Sequence, residues 1–131
     1  MKSILLIFLI LFFMPIVTYG ETKTIICNYD SYSDENGNHK LKEKLILTFI
    51  IDKIKGIAYV IGNEGKDRVR VIQSGVEESI SFIEITGAGN IITTSIDSIG
   101  KSVLSRNIII NGEIEPTQCY GECEFKQSPY Y

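Results

Sequence analysis

From residue 23 onward, apolar and polar positions alternate in short runs separated by turn residues at nearly regular intervals. The runs cover residues 23–29, 44–52, 57–61, 68–73, 79–86, 91–97, 102–110 and 113–120. Between them lie Gly-, Asn- and Ser-rich breaks, among them Gly62-Asn63-Glu64-Gly65, Ser74-Gly75, Gly87-Ala88-Gly89-Asn90 and Asn111-Gly112. Asn-Gly between two apolar runs is the strongest short hairpin signal, because a tight turn matched to strand twist needs positive φ at both positions. Ile dominates the runs, and a β-branched side chain suits a pleated surface better than a helix. Eight strands at this spacing predict an all-β antiparallel meander that closes or nearly closes, a small barrel or barrel-like sheet.

Alternation assigns faces. In the second run Leu45, Leu47, Phe49 and Ile51 share one side, and in the fourth Val69 and Val71 oppose Arg68 and Arg70. These are half-buried strands with one solvated face. Ile108-Ile109-Ile110 is apolar on both faces, which fits a buried strand, a contact between molecules or a lid. Residues 28–41 break the pattern; rich in Asp, Asn and Ser and carrying the single His39, they read as one long solvated loop. Asp34-x-Asn36-Gly37 shares part of a calcium-loop pattern but lacks its spacing and its terminal Glu.

The first twenty residues follow a different logic. Lys2 precedes an apolar run over residues 4–17, and Thr18-Tyr19-Gly20 places small residues before Glu21. This is the pattern of a secretory signal peptide cleaved after Gly20, and the run is too short to span a bilayer. Residues 21–131 are then a single exported β-domain, periplasmic or secreted, where disulfides persist. Without Lys2 that domain holds 12 basic and 16 acidic residues. No basic patch of the kind that binds nucleic acid stands out, and no segment suggests a membrane partner once the leader is gone.

Three cysteines remain: Cys27, Cys119 and Cys123. A bridge joining the two ends stabilises a small domain most, by about 4–5 kcal/mol in the chain-entropy account. Cys27–Cys123 is favoured, with Cys27–Cys119 as the alternative. The odd thiol leaves a monomer or a Cys119-linked dimer.

Two charges fall on apolar faces. Glu84 shares parity with Ile80 and Phe82, and Arg106 with Leu104, Ile108 and Ile110. A charge held among apolar groups needs a partner, so the two are expected to pair, either fixing register or orienting a ligand. Thr94 and Ser102 add hydroxyls near them in sequence. The chain contains no GxSxG elbow, HExxH pair or Gly-rich phosphate loop, and no residue set implies a metal or cofactor. The pattern points to a binding module and not to an enzyme.

The C-terminal half adds a resemblance. Thr93-Thr94-Ser95-Ile96-Asp97, Gly100-Lys101-Ser102-Val103-Leu104-Ser105-Arg106, Asn111-Gly112-Glu113, Pro116-Thr117-Gln118 and Tyr120-Gly121-Glu122-Cys123 follow in order. With Gly62-Asn63 and Phe82-Ile83-Glu84, this set resembles a family of small exported bacterial proteins of unknown function. The resemblance covers residues 27–123 and implies export, a β-rich fold and a last cysteine matching Cys123, which makes Cys119 the extra thiol. The family places a His before Ser-Arg, where this chain has Leu104. Two functions follow as expectations. One is a small-ligand-binding barrel using Glu84, Arg106, Thr94 and Ser102. The other is a module that binds an extracytoplasmic protein, such as an inhibitor of a cell-wall hydrolase.

Overall fold

The computed structural model describes residues 22–73 and 78–126. The expected leader and its cleavage point after Gly20 lie outside these residues, as does the Ser74-Gly75 turn. Eight strands follow in order: β1 (Thr22–Asp34), β2 (Gly37–Asp52), β3 (Ile57–Gly62), β4 (Gly65–Gln73), β5 (Ile80–Ile85), β6 (Ile91–Ile96), β7 (Lys101–Ile110) and β8 (Glu113–Lys126). Each pairs antiparallel with the next, and β8 pairs with β1, so the meander closes into a barrel. Asn111 and Gly112 join β7 to β8 with φ of 53° and 85°, the two positive values that a tight hairpin turn demands.

One expectation is corrected. Residues 28–41 are not a loop; β1 runs on to Asp34, turns at Glu35-Asn36, and returns as β2 from Gly37. Asp34 accepts the Asn36 amide at 2.9 Å and holds His39 Nε2 at 2.9 Å, while the Tyr32 and His39 rings stack 4.8 Å apart. Ser33 also sits opposite Gln118 of β8. The segment is polar because this part of the ribbon rises past the barrel's core. Its inner face holds only Tyr29, Tyr32 and Leu41, so the apolar stripe is sparse, while the backbone pairs on to Asp34↔Gly37.

Strand lengths make the wall uneven. β1, β2, β7 and β8 have 13, 16, 10 and 14 residues, whereas β3, β5 and β6 have six each. Pairing of β2 with β3 starts only at Thr48↔Ile61, so residues 37–47 of β2 are paired to β1 alone. Likewise β6 reaches only Ile91↔Asn107, and the tip of the β7–β8 hairpin stands beyond it. The four long strands form a high back wall and the short ones a low front lip. The high stretch of β2 is also irregular. Between Tyr29↔Leu45 and Ser31↔Lys40, β2 spends four residues, 41–44, against Asp30 alone.

The end of the barrel away from these tall hairpins is filled. Phe49 and Phe82 stack with centroids 4.1 Å apart, and Ile25, Ile96, Ile80 and Val69 pack around them. Gly121 is required where β8 passes β1, since a Cβ there would strike the Asn28 carbonyl and the Tyr29 ring. The Cys27–Cys123 disulfide spans the β1–β8 seam between directly opposed residues, 96 positions apart in sequence. Cys119 keeps its thiol and is buried. An end-to-end bridge is compatible with an oxidising, extracytoplasmic compartment.

Cys123→Ala should lower unfolding stability by about 2–5 kcal/mol in urea titrations. Cys119→Ala should keep the two-dalton mass loss of the bridge in intact-mass spectra. Loss of that signature in the Cys119 variant would move the bridge.

Candidate functional site

Above the packed layer the lumen opens. Two adjoining hollows occupy the mouth, one of about 470 Å³ and one of about 360 Å³. The uneven wall explains them, because the space beside residues 45–47 of β2 has no facing strand. Leu45, Asn63 and Arg106 line both hollows. The larger adds Leu47, Val60 and Leu104 as an apolar lining and Asp67, Glu84 and Glu64 as carboxylates. The smaller adds Tyr32, Lys44, Thr117 and Cys119.

The structure places Glu84 and Arg106 at this mouth, as their parity predicts, but does not pair them. No ion pair joins them among the described residues, and Arg106 Nε is buried with no hydrogen-bond partner. The reason is register. Ile92 of β6 sits opposite Glu84 on one side and Arg106 on the other. Their backbones therefore stand two strand spacings apart, about 10 Å. Glu84 instead shares the larger hollow with Asp67 of β4. Burial, followed by the Asp67 carboxyl, raises the Glu84 pKa, and the Arg106 charge opposes the rise only in part. Asp67 was legible in principle. It shares parity with Val69 and Val71, but a strand begun at Arg68 leaves it out.

Thr94 and Ser102 are placed elsewhere. Both are buried in the packed layer and serve Tyr29, which has no exposed surface. Ser102 Oγ donates to the Ser95 carbonyl at 3.0 Å, so the Tyr29 hydroxyl donates to Ser102 Oγ at 2.8 Å. Thr94 bonds the same phenol. This hydroxyl chain satisfies a tyrosine in the core and stands apart from the mouth. Burial pushes the Tyr29 pKa up to about 12. Asp97 lies in the β6–β7 turn at the opposite end from Glu84, capping the Ile99 and Lys101 amides at 3.1 and 2.8 Å. The two carboxylates are therefore not a catalytic pair.

A larger trough of about 720 Å³ lies along the outside of β5–β8, lined by Ser81, Ser95, Val103 and Tyr120. Three of its hydroxyls are already engaged. Ser81 and Ser95 bond each other at 3.1 Å, and Tyr120 bonds Ser33 and Gln118 at 2.9 and 3.1 Å. The mouth, where Arg106 Nε is buried without a partner among the described residues, is the stronger candidate site. Among the described residues, no three His, Cys, Asp or Glu side chains converge as a metal site would require.

Comparison with known proteins gives no further guide: no family model, curated protein or solved structure matches this chain.

Two outcomes test this geometry. Arg106→Met removes a guanidinium whose buried Nε has no partner among the described residues, so stability should change by no more than about 1 kcal/mol in urea titrations. A loss of about 3–5 kcal/mol would reveal a partner for the guanidinium. Tyr29→Phe should cost about 1 kcal/mol at pH 7 for its lost hydrogen bonds. Because folding favours the neutral phenol, this group's stabilisation is full below pH 10 and lost as pH rises through about 12. The gap between parent and variant should narrow across that window.

Proposed function

We propose that this chain is an exported, non-enzymatic binding module that takes a small molecule into the mouth of its barrel, with Arg106 and Glu84 orienting it. One observation carries the reading. Arg106 Nε is withdrawn from water and has no partner among the described residues, at the wall of a hollow large enough for a small ligand. A buried donor without an acceptor costs free energy, and a ligand oxygen would relieve that cost. The lining supports the same reading, since Leu45, Leu47, Val60 and Leu104 offer apolar contact beside a few polar groups. The end-to-end disulfide and the signal-peptide pattern support export to the periplasm or medium. The resemblance to small exported bacterial proteins supports it as well.

A second reading, a module that binds an extracytoplasmic protein, is favoured by a different surface. Ile85 and Ile91 face each other on the outer wall, as do Ile109 and Ile114, and all four are more than half exposed. The last two belong to the standing tip of the β7–β8 hairpin. Exposed apolar groups grouped in this way mark contact sites. A cell-wall hydrolase is the partner class this reading names.

An NMR titration of the amide spectrum with neutral apolar fragments, cyclohexanol first, separates the two. Saturable shifts at Leu45, Leu104 and Arg106 are expected. Shifts confined to Ile85, Ile91, Ile109 and Ile114 would favour the protein-binding surface, and silence at the mouth would count against the small-ligand reading.

A further inference from the structure

The mouth contains two separate electrostatic vacancies, and together they describe what fills it. On the β7 side, Arg106 has a buried Nε with no acceptor among the described residues, in a hollow where Lys44 and Glu43 offset each other. On the β4–β5 side, Asp67 and Glu84 crowd each other with Glu64 at the rim, so three carboxyl groups share the larger hollow with one guanidinium. Ile92 stands between Glu84 and Arg106 in the register and keeps them from neutralising one another. The floor beneath is apolar.

Each simple ligand class leaves a fault. A neutral apolar molecule leaves Arg106 unpaired and the carboxyls crowded. A plain anion answers Arg106 but enters beside three carboxyl groups. A plain cation answers Asp67 and Glu84 and leaves the guanidinium as it was. Only a molecule carrying both signs on an apolar body relieves both.

Resting on the small-ligand reading, we propose that the mouth binds a short zwitterionic peptide of two or three apolar residues, its ammonium between Asp67 and Glu84 and its carboxylate on Arg106. The span agrees. Two extended residues cover about 7 Å, which fits between side chains reaching inward from strands about 10 Å apart. The carboxylate would meet the planar donor face of arginine, the side chain best shaped to hold one. Burial and the Asp67 charge raise the Glu84 pKa, and an ammonium placed between the two carboxyls would oppose that rise.

The test uses the disulfide-bonded protein and four compounds: leucyl-leucine, its N-acetyl form, its C-terminal amide, and the doubly capped compound. Calorimetry and amide NMR should show leucyl-leucine binding at the mouth, with each single cap weakening affinity at least tenfold. Arg106→Met should erase the preference for the free carboxylate while keeping that for the free amine. Glu84→Gln with Asp67→Asn should do the reverse, and amide spectra of both variants would confirm that they fold. Equal binding of all four compounds would overturn the zwitterion and leave the cavity reading standing. If none binds while cyclohexanol still shifts the mouth amides, the peptide inference alone fails. If cyclohexanol is silent too, both fail.

Discussion

Closure of β8 onto β1 is the constraint from which the other features follow. A meander of this length has an inside only when its two edge strands meet, and only then do alternate residues acquire a defined buried face. The Cys27–Cys123 bond lies across that seam, and Gly121 lets the two backbones approach beside it. With the seam fixed, Tyr29 is carried into the core, where it needs the hydroxyls of Ser102 and Thr94. The packed layer around Phe49 and Phe82 rests on the same closure. Segments far apart in sequence thus become one continuous wall.

The wall's height is a second, independent variable. Hairpins of unequal length around a closed ring leave a high side and a low side, and the gap beside β2 is the site's origin. No special loop or inserted element is needed. The lumen is filled around Phe49 and Phe82 and open above them, where β2 rises past the end of β3. A ligand at this mouth would touch strand residues held by ladder hydrogen bonds, so the site is preorganised by the fold itself.

Strand count and most facing positions were legible, because period-two alternation with Gly and Asn punctuation is a local signal, whereas closure, a pairing of first strand with last, was left open between a barrel and a barrel-like sheet. The bridge was favoured from the benefit of joining chain ends. What escaped had physical reasons. Residues 28–41 looked like a loop because a register shift spaces Tyr29, Tyr32 and Leu41 irregularly, so the inner face shows no period-two stripe. Glu84 and Arg106 were correctly turned inward, yet parity says nothing about the strand lying between them, and Ile92 prevents the expected pair. Thr94 and Ser102 were close to the site in sequence only. Their real partner, Tyr29, sat at the end of a strand whose continuation went unread.

The irregular stretch of β2 has a consequence for the molecule's life in a crowded compartment. A strand rising alone past its neighbour displays a row of free amides and carbonyls, an invitation to any other extended chain. Here that row is broken by the four residues set against Asp30, and Lys40, Lys42 and Lys44 stand exposed along it. A kinked, positively charged border accepts a stacking copy of itself poorly. The bulge thereby lets the chain keep a tall, open rim without becoming the seed of a fibril.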